Sequence, residues 1–240
     1  PPRSTLFPYT TLFRSKGIDE IGSVMTALGL EHVNLAIAPA LGPDGEAYLD
    51  AVRRQGWTVS AGMMNFDYED YTTLESIAVT GGYRHDDLFE ERLAKTTRVR
   101  DVTAKLGVDK MTTHIGFVPH DRIDPAYRLM VDRLKRVSDL LADKAITLTM
   151  ETGQEPAVHL RDFIDTLGRD NIRVNFDPAN MILYGCGDPV EAVGILGNRI
   201  AHVHCKDAVA SDKPGVTWGK EAPLGRGQAN IPAVIGALNK

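Results

Sequence analysis

From residue 18 onward, short β-rich runs alternate with stretches that carry the 3.6-residue apolar period of a helix, and no other feature of the 240-residue chain narrows its fold as far. Six runs read as strands: 32–38 (HVNLAIA), 57–63 (WTVSAGM), 110–115 (KMTTHI), 145–151 (AITLTME), 172–177 (IRVNFD) and 200–204 (IAHVH). Helical patterns fall around them at about 18–28, 45–55, 87–106, 125–143, 156–167, 189–196 and 231–238. Gly29, Gly56, Gly107, Gly168 and Gly197 stand where helices end, and Pro125, Pro156 and Pro189 follow an acidic residue where helices begin. Tandem strand–helix units of this kind imply a parallel sheet covered by helices.

Such units either close into a barrel or form an open doubly wound sheet, and the polar residues of the strands decide between the two. Side chains two apart on a strand share a face. Thr147, Thr149 and Glu151 therefore oppose Ile146, Leu148 and Met150, Asn175 and Asp177 oppose Val174 and Phe176, and His202 and His204 oppose Ala201 and Val203. Several polar-lined strands do not fit an interlayer packed by helices on both sides. They fit an interior that houses a site, so the expected fold is α/β, a (β/α)₈ TIM barrel.

Chemistry in such barrels sits at the C-terminal ends of the strands. Glu151, Asp177 and His204 each end or nearly end a strand, and His114 holds the same place on KMTTHI. A lone strand-end carboxylate usually caps the next helix or pairs with a base. Four metal-capable residues at equivalent ends point instead to a bound divalent ion.

Composition excludes other classes. The formal net charge is −5, or −7 once Arg3 and Arg14 of the leader are removed, and no basic stripe offers a footprint for nucleic acid. Cys186 and Cys205 are too few for a disulfide framework or a structural zinc motif, which fits a cytoplasmic protein. No apolar run approaches the roughly 20 residues of a membrane span.

The runs THIGFVP (113–119), METGQE (150–155), VNFDPANMILYGCGDP (174–189), HVHCKD (202–207) and WGKEAPLGRGQ (218–228) together resemble the sugar-phosphate isomerase/epimerase-like branch of the xylose-isomerase-like barrels, over residues 18–240. That family typically holds one divalent ion with a Glu, an Asp, a His and a second Glu from its last four strands. The resemblance places the first three on Glu151, Asp177 and His204. The fourth finds no counterpart, so the chain is expected to carry the barrel's second to seventh strands, with the first and eighth missing and two sheet edges that invite aggregation. Residues 1–15 (PPRSTLFPYTTLFRS) resemble a translated sequencing-library adapter, and the barrel domain is read as 16–240.

The resemblance implies an isomerase or epimerase acting on a sugar or sugar phosphate by proton transfer next to a carbonyl. Mn²⁺ is the first choice of cofactor, with Mg²⁺, Co²⁺ or Zn²⁺ also compatible with two carboxylates and one imidazole. Glu151 is then ligand and catalytic acid/base together, and loss of the fourth carboxylate would leave the chain inactive. Substrate contacts are assigned to His114, Gln154, Lys206 and Arg226. Each has a plainer reading: packing against a loop for His114, helix capping for Gln154 and Glu155, an ion pair with Asp207 for Lys206, a solvated loop for Arg226. His202 reads as a support one layer below His204. Asn180 stands where relatives that epimerise free ketoses often carry His, which weighs against that substrate class. Segment 65–84, with Phe66, Tyr68, Tyr71 and Tyr83, is a long insertion that either walls the sugar pocket or contacts a second copy in a homo-oligomer. The alternatives are an inosose-dehydratase-type lyase, a non-catalytic sugar- or metal-binding barrel, and an apurinic-site endonuclease. Asn180, the absence of a further HxH and the acidic charge speak against the last.

Overall fold

Each run with alternating polar and apolar side chains becomes a strand of one parallel sheet. A computed structural model describes residues 17–240, and the leader 1–15 lies outside them. The strands are β1 (His32–Ala36), β2 (Thr58–Met63), β3 (Lys110–Thr113), β4 (Thr147–Glu151), β5 (Ile172–Phe176) and β6 (Ile200–Val203), hydrogen-bonded in that order. All five pairings are parallel. The helices are α1 (Ile18–Leu28), α2 (Gly45–Gln55), α3 (Leu74–Thr80), α4 (Phe89–Lys105), α5 (Pro125–Ala142), α6 (Ala157–Leu167), α7 (Pro178–Tyr184), α8 (Pro189–Leu196) and α9 (Ile231–Leu238).

The sheet curls until its two ends face one another, as in a barrel. β1 and β6 share no ladder, yet Asn34 Nδ2 on β1 lies 2.5 Å from His204 Nε2 just past β6, and Ser60 Oγ on β2 lies 3.0 Å from His202 Nε2 on β6. Two ladder irregularities fall at these residues. The β1–β2 register slips between Val33 and Asn34, and the β5–β6 register slips between Val174 and Asn175. Bulges of this kind turn a strand and re-aim its side chains.

The face opposite the polar interior carries the core. Ile146 just before β4 and Leu148 and Met150 on it are buried with Leu134, Val137 and Leu141 of α5 and Leu160, Phe163 and Leu167 of α6. Burial of each such side chain contributes about 1.5–3 kcal/mol relative to exposure. Helix starts follow the acidic–proline rule: Asp124 accepts from Ala126 N–H, Asp177 from Asn180 N–H and Asp188 from Glu191 N–H, each with Pro in the first turn. Among the described residues no helix is long and apolar enough to cross a membrane.

Three elements escaped the sequence pattern because each is shorter than the window that reveals a period. They are α7, which directly follows Asp177, a hairpin of β7 (Asp207–Val209) with β8 (Lys220–Ala222), and α3 inside the 65–84 insertion. Helix α3 is opened by a reciprocal Thr73–Ser76 capping box. Two of the insertion's aromatics are core residues rather than pocket surface: Phe66 and Tyr83 are buried edge to face at 5.0 Å. Gly82, at φ 57°, lies so close to the Ile115–Gly116 peptide that a Cβ would overlap it, which seats the insertion against the loop after β3.

Candidate metal centre and substrate pocket

The parallel register delivers three strand ends to one place. Glu151 closes β4, Asp177 follows β5 and His204 follows β6, and one ligand atom from each lies within 4.8 Å of the others. His204 Nδ1 is 2.9 Å from Glu151 Oε1 and 3.6 Å from Asp177 Oδ2. The two oxygens of Asp177 divide the work: Oδ1 caps α7, while Oδ2 is buried and faces the cations of the site. The plain reading and the functional reading of a strand-end Asp thus apply to different atoms of one carboxylate.

The Lys206 ammonium sits 2.5 Å from Asp177 Oδ2 and 3.8 Å from Glu151 Oε1. Burial would raise the Glu151 carboxyl, but His204 and Lys206 outweigh it and hold the group well below the usual range. Burial would likewise lower His204, yet Glu151 and Asp177 bring it to about 9. Lys206 is held above its ordinary value by the same two carboxylates. Two buried carboxylates therefore meet in the structure and draw in every cation within reach. A buried Asp177 oxygen held only by ion pairs, beside a second carboxylate and an imidazole nitrogen, is a donor set that fits a divalent ion.

Supporting contacts come from the polar interior. Asn175 Oδ1 accepts from His202 Nδ1 at 2.8 Å, while its Nδ2 lies 3.2 Å from His204 Nδ1. Burial, with the neighbouring His204 charge, lowers His202 to about 4, so its ring is neutral, with Nε2 3.0 Å from the Ser60 hydroxyl. His202 is the support below His204 that the alternation implied.

Around this centre stand buried polar atoms that make no hydrogen bond. Among the described residues seven such side-chain atoms occur, and six of them, Asn34 Oδ1, Gln154 Nε2, Asp177 Oδ2, Asn180 Oδ1, Trp218 Nε1 and Glu221 Oε1, belong to residues at or beside the site. Buried polar atoms are normally satisfied, so a cluster of unsatisfied donors and acceptors marks the place of a polar ligand. Tyr184 lines the same wall: its ring stands 4.8 Å from Trp218 and 5.8 Å from Phe117, and its hydroxyl lies 3.2 Å from His114 Nε2.

The four residues assigned to substrate fare differently. Gln154 is buried with a free amide donor. His114 is buried and engaged on both nitrogens, by the Gly116 N–H and by Tyr184, and Tyr71 meets it edge to face at 6.1 Å. Lys206 pairs with Asp177 and Glu151, and the expected pair with Asp207 does not form. Asp207 instead accepts from the N–H groups of Ala208, Gly225, Gly227 and Ala229, which pin the hairpin to the loop before α9. Arg226 is exposed on that loop. Glu155, offered as a helix cap, accepts from Val118 N–H across the pocket rim.

Sequence reasoning missed Asn34, Tyr184, Trp218 and Glu221. Burial raises the Glu221 carboxyl to about 7, against the pull of Lys206. Its segment, WGKEAPLGRGQ, was singled out, but a three-residue strand gives no period from which to infer where a side chain points.

Residues 15–240 match the family model described as xylose isomerase-like TIM barrel. No curated protein sequence matches the chain. Among solved structures, a xylose isomerase domain protein from Planctomyces limnophilus is 31% identical with a TM-score of 0.84, covering 90% of this chain and 80% of that one. A probable 3-DHS dehydratase, AsbF, from Bacillus anthracis is 17% identical (TM-score 0.69, 95% and 86% covered). A D-allulose 3-epimerase from Methylomonas sp. in complex with D-allulose is 15% identical (TM-score 0.67, 92% and 73% covered). At such low identity the last two establish the shared fold alone, and they show that one fold hosts different reactions.

Proposed function

The chain belongs to the xylose isomerase-like TIM barrel family, and from that membership we propose that it is a divalent-metal-dependent isomerase or epimerase of a sugar or sugar phosphate. The observation that carries the reading is the convergence of Glu151, Asp177 and His204, together with buried polar atoms of Asn34, Gln154, Asn180, Trp218 and Glu221 that make no hydrogen bond. A polyhydroxylated ligand has the donors and acceptors that Gln154, Asn180 and Trp218 lack.

Glu151, Asp177 and His204 would hold the ion, with Mn²⁺ the first choice. The ion would supply Lewis-acid polarisation of the substrate carbonyl, which acidifies the neighbouring C–H. The remaining work falls to the chain's own groups. Asn34 and Asn175 orient the His204 ring. Lys206 is held beside the two carboxylates, where its ammonium stabilises negative charge that develops on the substrate. Two carboxylates are available for the proton: Glu151, and Glu221 from the hairpin, whose partly desolvated carboxyl is placed to give or take a proton near neutrality. Glu221 provides a second carboxylate next to the centre that the strand-end pattern alone did not offer, and this favours turnover over simple binding.

The test is solvent-deuterium exchange at the carbon next to the carbonyl across a panel of ketoses, ketose phosphates and inososes, with Mn²⁺ present. Exchange with recovery of an epimer or aldose supports the proposal. Exchange followed by an absorbing enone product assigns a dehydratase, and absence of exchange with any panel member, despite bound metal, overturns the catalytic reading.

A further inference from the structure

A second group of metal-capable side chains lies beside the pocket, on different elements. His120 comes from the loop between β3 and α5, Glu155 from the loop after β4, and His159 from the first turn of α6. One ligand atom from each lies within 4.8 Å of the others. The Val118 N–H fixes Glu155 Oε1 at 2.7 Å, so the buried carboxylate turns its other oxygen outward, where Oε2 meets His120 Nε2 at 2.7 Å. The His120 and His159 rings approach to 4.2 Å between centroids. All three line one cleft together with Val118, Arg122 and Asp162.

A His–Glu ion pair accounts for His120 and Glu155 but leaves His159 unexplained. Its ring is turned onto His120, and its charge acts on Asp162. Asp162 does not complete the set, because Arg161 holds it at 2.7 Å and Arg122 at 3.3 Å. What remains is two imidazoles and one carboxylate with open positions toward solvent. That set is softer than the two carboxylates and one imidazole of the strand-end centre, and it selects a different class of ion.

We propose that His120, Glu155 and His159 form a second site, for a borderline divalent ion such as Zn²⁺, Ni²⁺ or Co²⁺, on the rim of the pocket. An ion there clamps the loop after β3 to the start of α6. It does so next to Gln154, the buried neighbour of Glu155 whose amide donor makes no hydrogen bond, so its occupancy steadies that wall. Burial already pushes the Glu155 carboxyl up, and a cation offsets that desolvation.

The experiment is a Zn²⁺ and Co²⁺ titration of the full chain, stripped with chelator, at micromolar protein with bound metal counted after dialysis. Comparison is with Glu151→Gln/Asp177→Asn and with His120→Ala/His159→Ala. Both histidines are exposed, so their replacement leaves the core intact. The expected result is one fewer bound ion in the histidine variant than in the parent, with the carboxylate variant still binding one that the histidines account for. Equal stoichiometry in parent and histidine variant overturns the second site. The outcome is separable from the fate of the strand-end centre: that centre is read from the carboxylate variant against the parent, whereas the second site stands or falls on the histidine variant against the parent.

Discussion

Asn34 on β1 and His204 beyond β6 touch across the interior at 2.5 Å although 170 residues separate them. The contact joins the two ends of the sheet order through the side chain that the metal reading depends on. Partners that orient a ligating imidazole are worth about 10–100-fold in metal affinity. Asn34→Ala is expected to weaken Mn²⁺ binding by at least about tenfold in calorimetric titration while costing only about 1–2 kcal/mol of stability. Unchanged affinity would reduce the contact to packing.

Lys206 competes for the oxygen that a bound ion would use. Its ammonium lies on Asp177 Oδ2, so Lys206→Met removes a rival cation and leaves a buried carboxylate short of one counter-charge. The metal-free variant is expected to lose about 3 kcal/mol in denaturant unfolding. Its Mn²⁺ affinity should rise by about tenfold, which corresponds to about 1.4 kcal/mol. Weaker binding in the variant would mean that Lys206 supports the ion rather than displacing it.

Glu221 gives the site a pH signature. Its folded-state carboxyl is raised to about 7 from the ordinary 4.5, so the fold binds this proton more tightly than the unfolded chain does. The resulting stability is fully present below about pH 4.5 and is lost as pH rises through 7. Between pH 5 and 8, metal-free Glu221→Gln should therefore lose less stability than the parent. Parallel unfolding curves for the two proteins across that range would show that the carboxyl is not desolvated.

The sequence already disclosed the strands, most helices and three residues that converge at the candidate site, for a physical reason. Side-chain alternation on β4, β5 and β6 had to separate a helix-packed face from a polar interior, and the last polar residue of each strand had to point to the mouth. Glu151, Asp177 and His204 were legible because strand geometry fixes them. Asn34 was not, because its role depends on the curl of the sheet and on a register slip, neither of which leaves a local trace. Glu221, Trp218 and Tyr184 sit on short elements after the strands, where no periodicity operates. The plainer reading of Lys206, an ion pair with Asp207, fails for a related reason: Asp207 is consumed by four backbone N–H groups, a loop geometry that no pattern in HVHCKD announces.

The central claim is the divalent site at Glu151, Asp177 and His204, and thermal unfolding with and without Mn²⁺ tests it most directly. At a hundredfold excess over Kd, an ion bound only by the folded chain contributes about 2.7 kcal/mol, which raises Tm by roughly 5–10 °C for a chain of this length. The account predicts that rise in the parent and in His120→Ala/His159→Ala, and its loss in both Glu151→Gln and Asp177→Asn. No shift in the parent, or an undiminished shift in both carboxylate variants, would contradict it.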